Sequence, residues 1–327
     1  MSRPRMKTSA MIASIAAEGQ RTVSAPFGHT LVRLAADRPE IVGMTADLGK
    51  YTDLHVFSAV YPDRFYQMGM AEQLLFGAAA GMAREGFMPF ATTYAVFASR
   101  RAYDFIYMAI AEDQLNVKIV CALPGLTTGY GPSHQATEDL AIFRGVPNLT
   151  IVDPCDALEI EQATEAITAH FGPVYMRLLR GNVPLVLDEY SYKFELGKAK
   201  LIRDGFDVLF ISSGLMTMRT LEAAEFLKAD HIDAGVLHVS TIKPLDEVAL
   251  LAEIRKPGRL IVIVENHNLI GGLGEAVMAS SMRNGVMGRI RHIGLPDAFL
   301  DAGALPTLHD RYGISTNCLV SQVKSWL

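Results

Sequence analysis

This chain of 327 residues is short of cysteine, of charge and of long apolar runs, and each shortage excludes something. Its three cysteines, Cys121, Cys155 and Cys318, share no metal-like spacing and are too few for a disulfide framework. That usage fits a reducing compartment, so a cytoplasmic location is expected. Charged residues make up 20% of the chain, with a net charge of −5 and a pI near 6.0, which argues against a nucleic-acid partner held by phosphate neutralisation. No uninterrupted apolar stretch approaches the roughly 18–20 residues that a membrane span needs, so no membrane partner is expected. Arg3, Arg5 and Lys7 precede the apolar run Met11–Ala17, but Ser14 breaks it, and the segment reads as a frayed N-terminal helix rather than a signal peptide. Internal repeats and low-complexity tracts are also missing.

What is present is a composition that is 50% hydrophobic, enough to bury a large core in two domains. Short β-branched runs alternate with helical patterns, which predicts an α/β fold: two doubly wound domains, mainly parallel sheets flanked by helices. In the first part, strands are expected at Ile41–Thr45, Met88–Ala91, Val117–Cys121, Thr150–Val152 and Val174–Arg177. Helices are expected at His29–Asp37, Glu72–Arg84, Ala98–Ala111 and Leu158–His170, with Thr137 capping another that starts near Glu138. The polar, tyrosine-rich passage Leu187–Lys193 marks a linker. Beyond it, strands at Asp207–Ser212, Ala234–His238 and Leu260–Val264 alternate with helices at Met216–Leu227, Glu247–Ile254 and Glu275–Asn284. The division expected is an N-terminal extension over 1–21, a first domain over 22–186, a linker over 187–198 and a second domain over 199–327.

Five stretches carry residues suited to chemistry. Glu72 opens the helix that continues Leu74-Leu75-Phe76-Gly77-Ala78-Ala79-Ala80-Gly81-Met82. A carboxylate there complements the helix dipole, while the apolar run beside it would also suit an acid that exchanges protons. The dense small residues would admit a second backbone or protomer. Tyr94 and Phe97, three residues apart, share one face of a helix and offer either core packing or a stacking wall for a heteroaromatic ring. His134 follows the turn Gly131-Pro132, where it either orders the loop or serves catalysis. Arg180 lies just past a strand's carboxyl end, where ligands collect in open α/β sheets and where arginine suits phosphate, although a solvated arginine is the plainer explanation. The glycines of Gly271-Gly272-Leu273-Gly274 lack dinucleotide spacing and stand seven residues beyond their strand. His267 has no ligand-spaced partner and is expected to be structural, and Asp153, Asp156, Glu159 and Glu161 read as helix N-terminal charge, so no metal site is expected in this chain. The tripeptide Gly-Asp-Gly occurs nowhere.

The order of these stretches is specific where each alone is ambiguous. Met68–Gln73, Tyr94 with Phe97, Gly131–Glu138, Arg180-Gly181-Asn182 and Glu265–Gly274 together resemble the thiamine-diphosphate transketolase family over roughly residues 22–320. The resemblance implies a pyrimidine-binding domain followed by the family's C-terminal domain. It further implies the small, C-terminal subunit of a split transketolase. The complementary transketolase subunit, a separate chain, would carry the Gly-Asp-Gly domain and bind most of the diphosphate and Mg2+. By that resemblance Glu72 contacts N1′ of the cofactor's aminopyrimidine and promotes loss of the thiazolium C2 proton. Tyr94 and Phe97 pack on the pyrimidine, and Asp47 stands near the cofactor. His134 moves protons at the ketol oxygens, with Tyr130 and Gln135 beside the substrate, and Arg180 holds a sugar phosphate. The implied reaction passes a two-carbon ketol unit from a ketose phosphate to an aldose phosphate. The implied assembly is a heterotetramer self-associating through the pyrimidine-binding domain.

Departures from the family pattern point to an unusual donor. Tyr130 stands where many transketolases carry an acid that reads sugar stereochemistry, and Ser24 and Tyr51 fall where they carry a phosphate-binding arginine and serine. A branched or modified ketose, such as apulose 4-phosphate, is therefore expected. The competing readings are the beta subunit of a 2-oxo-acid dehydrogenase, a deoxyxylulose phosphate synthase-like role, and a catalytically silent scaffold subunit.

Overall fold

The computed structural model describes residues 15–17 and 19–327, so most of the helix expected near the N-terminus lies outside the described residues, and residues 15–17 of it are not helical. The first half runs β1 (Thr22–Ser24), α1 (Pro26–Ala35), β2 (Ile41–Thr45), α2 (His55–Val60), β3 (Phe65–Gln67), α3 (Glu72–Arg84), β4 (Met88–Tyr94) and α4 (Ala95–Arg101). A π-helical segment, Phe105–Ala111, then leads to β5 (Lys118–Ala122), α5 (Asp139–Arg144), β6 (Thr150–Val152), α6 (Ala157–Ala169), β7 (Val174–Leu178) and β8 (Asn182–Pro184). The second half runs β9 (Lys200–Arg203), β10 (Val208–Ser212), α7 (Leu215–Ala229), β11 (Ala234–His238), β12 (Thr241–Lys243) and α8 (Glu247–Ile254). It closes with β13 (Leu260–Asn268), α9 (Leu273–Arg283), β14 (Arg289–Leu295), α10 (Leu305–Arg311) and α11 (Thr316–Trp326).

Two mostly parallel sheets result, as the alternating pattern requires. The larger has the order β12-β6-β7-β5-β4-β2-β3 and the smaller β14-β13-β10-β11-β9, with β12 and β9 antiparallel at the edges. Central strands such as β2, β4, β5 and β7 are buried along their whole length, the consequence of helices covering both faces. One strand crosses between the halves: β12 follows β11 in the chain but pairs with β6, adding an edge to the first sheet.

Several local expectations are corrected. The helix expected over Ala98–Ala111 divides: Ser99 Oγ donates to the Ala95 and Val96 carbonyls, α4 ends at Arg101, and the π-helical segment follows. Tyr94 does not share a helix with Phe97; it is the last residue of β4, and Phe97 lies in the first turn of α4. Thr137 does not cap α5, because its hydroxyl donates to the Glu138 side chain instead, at 2.9 Å. β13 extends to Asn268, so the glycine turn is closer to its strand than the seven residues expected. In α3, four of the apolar residues after Glu72 (Leu75, Phe76, Ala79 and Ala80) are buried in the chain's own core, and Gly77 faces Phe105.

Candidate active site

The parallel strands of the first sheet all deliver residues to one edge. Past their carboxyl ends lie Asp47 after β2, Glu72 after β3, Tyr94 closing β4, the loop 123–138 after β5 and Arg180 after β7. This is the edge at which open α/β sheets hold ligands.

Glu72 begins α3 and is only 4% exposed. Its setting is not the purely apolar one that the neighbouring sequence suggests, because Arg101 donates to Oε1 at 3.1 Å. The same guanidinium lies 3.9 Å from the centre of the Phe97 ring, in cation–π geometry. Phe97 then meets Tyr94, with ring centroids 5.7 Å apart, and both meet His134, at 5.4 and 6.1 Å. Tyr130 closes the cluster 5.1 Å from His134. Glu72, Arg101, Phe97, Tyr94, His134 and Tyr130 are therefore joined by one continuous chain of contacts. Arg101 is the member that sequence reasoning missed, since the pair Arg100-Arg101 reads as solvated charge.

Burial raises the Tyr94 hydroxyl above its ordinary range, with the Arg180 charge opposing that shift. His134 is held below its ordinary value, first by partial burial and then by the Arg101 charge, and its Nδ1 lies 2.9 Å from Ser133 Oγ. A neutral imidazole beside an aromatic wall can accept a proton and return it.

The second half of the chain moors the loop that carries His134. Asn266 of β13 accepts the Leu126 amide at 2.8 Å, and the Gly129 carbonyl accepts the Gly303 amide at 3.0 Å. Buried His309 donates from Nε2 to the Leu126 carbonyl at 2.7 Å. Burial and then Arg219 push His309 down to about 3, and Arg219 donates to its Nδ1, which fixes the tautomer that this mooring needs. Gly125, at φ 58°, must be glycine, since a Cβ there would stand 2.2 Å from the Asn266 carbonyl oxygen. Gln135, expected at the substrate, is buried with its amide nitrogen 3.1 Å from the Asp301 carbonyl, so its contacts tie the loop to the second half as well. Arg100 braces the loop from the other side through the Pro132 and Gln135 carbonyls.

Arg180 and Asp47 lie apart from the aromatic cluster's direct contacts. Arg180 stands over Tyr51, 5.6 Å from its ring centre, and its Nε is buried without a partner among the described residues. Asp47 is exposed at φ 59°, and its amide donates to Gln67 Oε1 at 2.7 Å.

The remaining candidates serve structure. Glu265 is buried at the head of α9 and accepts the Leu273 and Gly274 amides at 2.6 and 2.9 Å, as well as His292 Nε2 at 2.6 Å. The glycine-rich turn thus cradles a carboxylate of its own chain. His267 bridges the halves, accepting the Ala141 amide at 3.2 Å and donating to the Asn268 carbonyl at 2.8 Å. Asp156 caps α6 by accepting the Glu159 amide, whereas Asp153 pairs with Arg177. Cys155, Glu159 and His238 bring possible ligand atoms within 4.8 Å of one another. The carboxylate there is already engaged by the Cys155 amide, the Tyr192 hydroxyl and His238 Nε2. Burial lowers His238, but Glu159 outweighs it and leaves the imidazole above its ordinary value, while His238 and the Tyr192 hydroxyl hold the Glu159 carboxyl below its own against burial.

An α/β protein with a buried acid, an aromatic wall and a moored histidine at one sheet edge is thereby defined. Residues 20–186 match the transketolase pyrimidine-binding domain and residues 197–318 the transketolase C-terminal domain; the chain belongs to the transketolase family. It is 72% identical to a transketolase family protein of Sinorhizobium fredii over 99% of this chain and 94% of that one. It is 38% identical to a 6-deoxy-6-sulfo-D-fructose transketolase subunit of a Clostridium species, over 89% of each chain. Among solved structures it superposes on a split-gene transketolase in the form of an inactive β4 tetramer, with a TM-score of 0.83 and 36% identity, covering 93% of this chain and 98% of the other. No helix among the described residues is long and apolar enough to cross a membrane.

Proposed function

We propose that this chain is the small, C-terminal subunit of a split transketolase, active only when a separate, complementary subunit supplies the diphosphate-binding half of the site. The observation that carries this reading is the chain of contacts from Glu72 through Arg101 and Phe97 to Tyr94 and His134 at the carboxyl edge of the first sheet. A buried carboxylate next to two aromatic rings fits the edge and face of an aminopyrimidine. Glu72, Tyr94 and Phe97 would therefore hold that part of thiamine diphosphate, with Asp47 near the cofactor and Mg2+ held mainly by the complementary subunit. When bound, the cofactor supplies the nucleophilic carbon at which a ketose is cleaved.

The chain's own residues do the rest. Glu72 holds a hydrogen bond to the pyrimidine, and its contact to Arg101 fixes its rotamer. Tyr94 and Phe97 exclude water from one ring face. His134, neutral and kept in place by the moored loop, moves a proton at the ketol oxygen. Arg180 takes the phosphate end, and Tyr130 borders the substrate from the loop that buried Gln135 helps to hold. The reaction is transfer of a two-carbon ketol unit from a ketose phosphate to an aldose phosphate. Tyr130 in place of an acid supports a non-standard donor such as apulose 4-phosphate.

Met70 and Leu74 at the start of α3, with Phe105 and Met108 of the π-helical segment, are 80%, 55%, 38% and 47% exposed, an apolar face suited to a second copy of this chain. The inactive tetramer formed by a related split-gene chain supports both self-association and the need for a partner. A heterotetramer with two copies of each chain is the expected complex.

The test is co-expression with candidate complementary subunits and a steady-state survey of ketose and aldose phosphates, with a lipoyl domain as the rival acceptor. Turnover is expected only in the complex and only with aldose acceptors, and Glu72→Ala abolishes it. Highest kcat/KM for xylulose 5-phosphate with ribose 5-phosphate refutes the non-standard donor. Transfer to the lipoyl domain, or undiminished activity in Glu72→Ala, refutes the transketolase reading itself.

A further inference from the structure

One buried acid stands beside the Arg180 turn and touches none of the groups that would meet cofactor or substrate. Asp53 closes the short 3-10 turn after β2 and is 2% exposed, at φ 60° in the left-handed region. Its two oxygens both face the Gly181 amide, which donates to them at 3.1 and 3.0 Å. Gly181 in turn accepts the Ala25 amide at 2.7 Å, just before α1. The Asp53 carbonyl presses on α1 itself, since a Cβ at Gly28 would stand 2.3 Å from it. Three chain segments are thus pinned at one point: the turn after β2, the turn after β7 and the entry to α1.

The purpose of so costly an arrangement lies next door. A buried carboxylate with one amide for a partner is poorly compensated, and a non-glycine residue in the left-handed region adds strain. Both are accepted at the residue whose hydrogen bond ends at Gly181, immediately after Arg180. Arg180 has its guanidinium over Tyr51, two residues before Asp53, and its Nε is buried without a partner among the described residues.

We propose that Asp53 is a positioning residue for Arg180: by gripping the Gly181 amide it holds the guanidinium over Tyr51, ready for the anionic end of the sugar substrate. This rests on the proposed role of Arg180 at the phosphate end. The charged groups facing Asp53 are Arg180, His55 from α2 and His29 from α1. Burial pushes its carboxyl up to about 6, against the opposing pull of the Gly181 amide and those cations. Above that value the ionised carboxylate accepts the amide with either oxygen. Below it one oxygen becomes a donor and the grip weakens, so affinity for the substrate's anionic end falls as pH falls through about 6.

The test uses the complex reconstituted with its complementary subunit, together with one phosphorylated ketose and the unphosphorylated analogue. The variants are Arg180→Ala, Asp53→Ala, Asp53→Asn and the double variant Arg180→Ala with Asp53→Ala. Asp53→Ala is expected to raise KM for the phosphorylated substrate about tenfold, with little change in kcat or in KM for the analogue. It should add nothing to Arg180→Ala. Asn tolerates the left-handed region and keeps one acceptor, so Asp53→Asn should fold and should lose the extra rise in KM that the wild type shows at low pH. The wild-type to Asp53→Asn ratio cancels the titration of the phosphate itself. If Arg180→Ala raises KM and neither Asp53 variant does, the positioning role is overturned while the Arg180 reading stands. If Arg180→Ala leaves KM unchanged, both fall. If Asp53→Ala does not fold, an unaltered pH dependence in Asp53→Asn overturns the proposal.

Discussion

Replacing Arg177 should weaken the fold in a way that depends on pH with a calculable sign. Arg177 of β7 is 2% exposed, and its Nε and one terminal nitrogen each donate to Asp139 at 2.9 Å. It also donates to Asp153 at 3.1 Å and to the Asn266 carbonyl at 3.1 Å. Asp139 further accepts the Tyr175 hydroxyl, and Asp153 accepts Ser213 Oγ from the second half of the chain. One guanidinium thus joins α5, β6, β7 and the end of β13, with the loop after β10 reached through Asp153. Arg177→Leu strands two buried carboxylates, which costs about 3–5 kcal/mol. For 327 residues an unfolding entropy of about 2 cal/mol/K per residue gives about 0.7 kcal/mol/K, so Tm should drop by about 4–7 °C if the chain unfolds as one unit. Burial already raises the Asp153 carboxyl, and Arg177 is the largest influence opposing it. Without Arg177 the native state binds more protons than the unfolded chain above the ordinary aspartate value, so stability rises as pH falls through the raised value. The deficit measured by calorimetry and urea unfolding should therefore be larger near pH 8 than near pH 5. Adding Asp139→Asn and Asp153→Asn should recover part of it by removing the stranded charges. A loss under about 1 kcal/mol near pH 8, or a deficit indifferent to pH, would refute the reasoning.

Two further outcomes follow from the site and its supports. His134→Ala in the reconstituted complex should lower kcat by roughly 10²–10⁴. Because burial and Arg101 hold the imidazole below its ordinary value, the acid limb of the wild-type kcat/KM profile should lie below about 6.5, and a limb above that value contradicts the assignment. Gly272→Ala places a Cβ 2.0 Å from Glu265 Oε2, and Gly274→Ala places one 2.1 Å from His292 Nε2. Each should dislodge the buried carboxylate from its helix amides and lower stability by about 1–3 kcal/mol in thermal melts, where an unchanged Tm would show that the turn can yield.

What could be read from the chain was whatever a local pattern decides. α3 runs from Glu72 to Arg84 as expected, because the acid at its start and the run of good helix formers settle both its type and its bounds. β2 and β6 match their expected ranges because each is rich in β-branched residues, and β11 matches its range as a short apolar run. Tyr94, Phe97 and His134 come together although Tyr94 closes β4 and does not share the helix that carries Phe97. Their proximity arises because β4 ends where α4 begins, at the same sheet edge that receives the β5 loop. The failures are tertiary. β12 has the composition of any short strand, and nothing in Thr241–Lys243 tells that it pairs with β6 rather than with its neighbours in sequence.

Arg101 and Asp53 escaped for a related reason. One sits in a basic pair and the other in a turn, and both acquire meaning only from what lies across space: Glu72 and Phe97 for the first, Gly181 for the second. Of the residues at this edge, those with a characteristic sequence neighbourhood stand at its centre, and those that hold them carry no such mark. A substitution survey confined to the recognisable motifs would therefore miss Arg101 and Asp53. It would also miss His309, whose Nε2–H holds the Leu126 carbonyl of the His134 loop from 183 residues away in sequence. The physical demand at such positions is only for a charge or a donor of the right reach, and that demand is met from whichever segment the fold brings near.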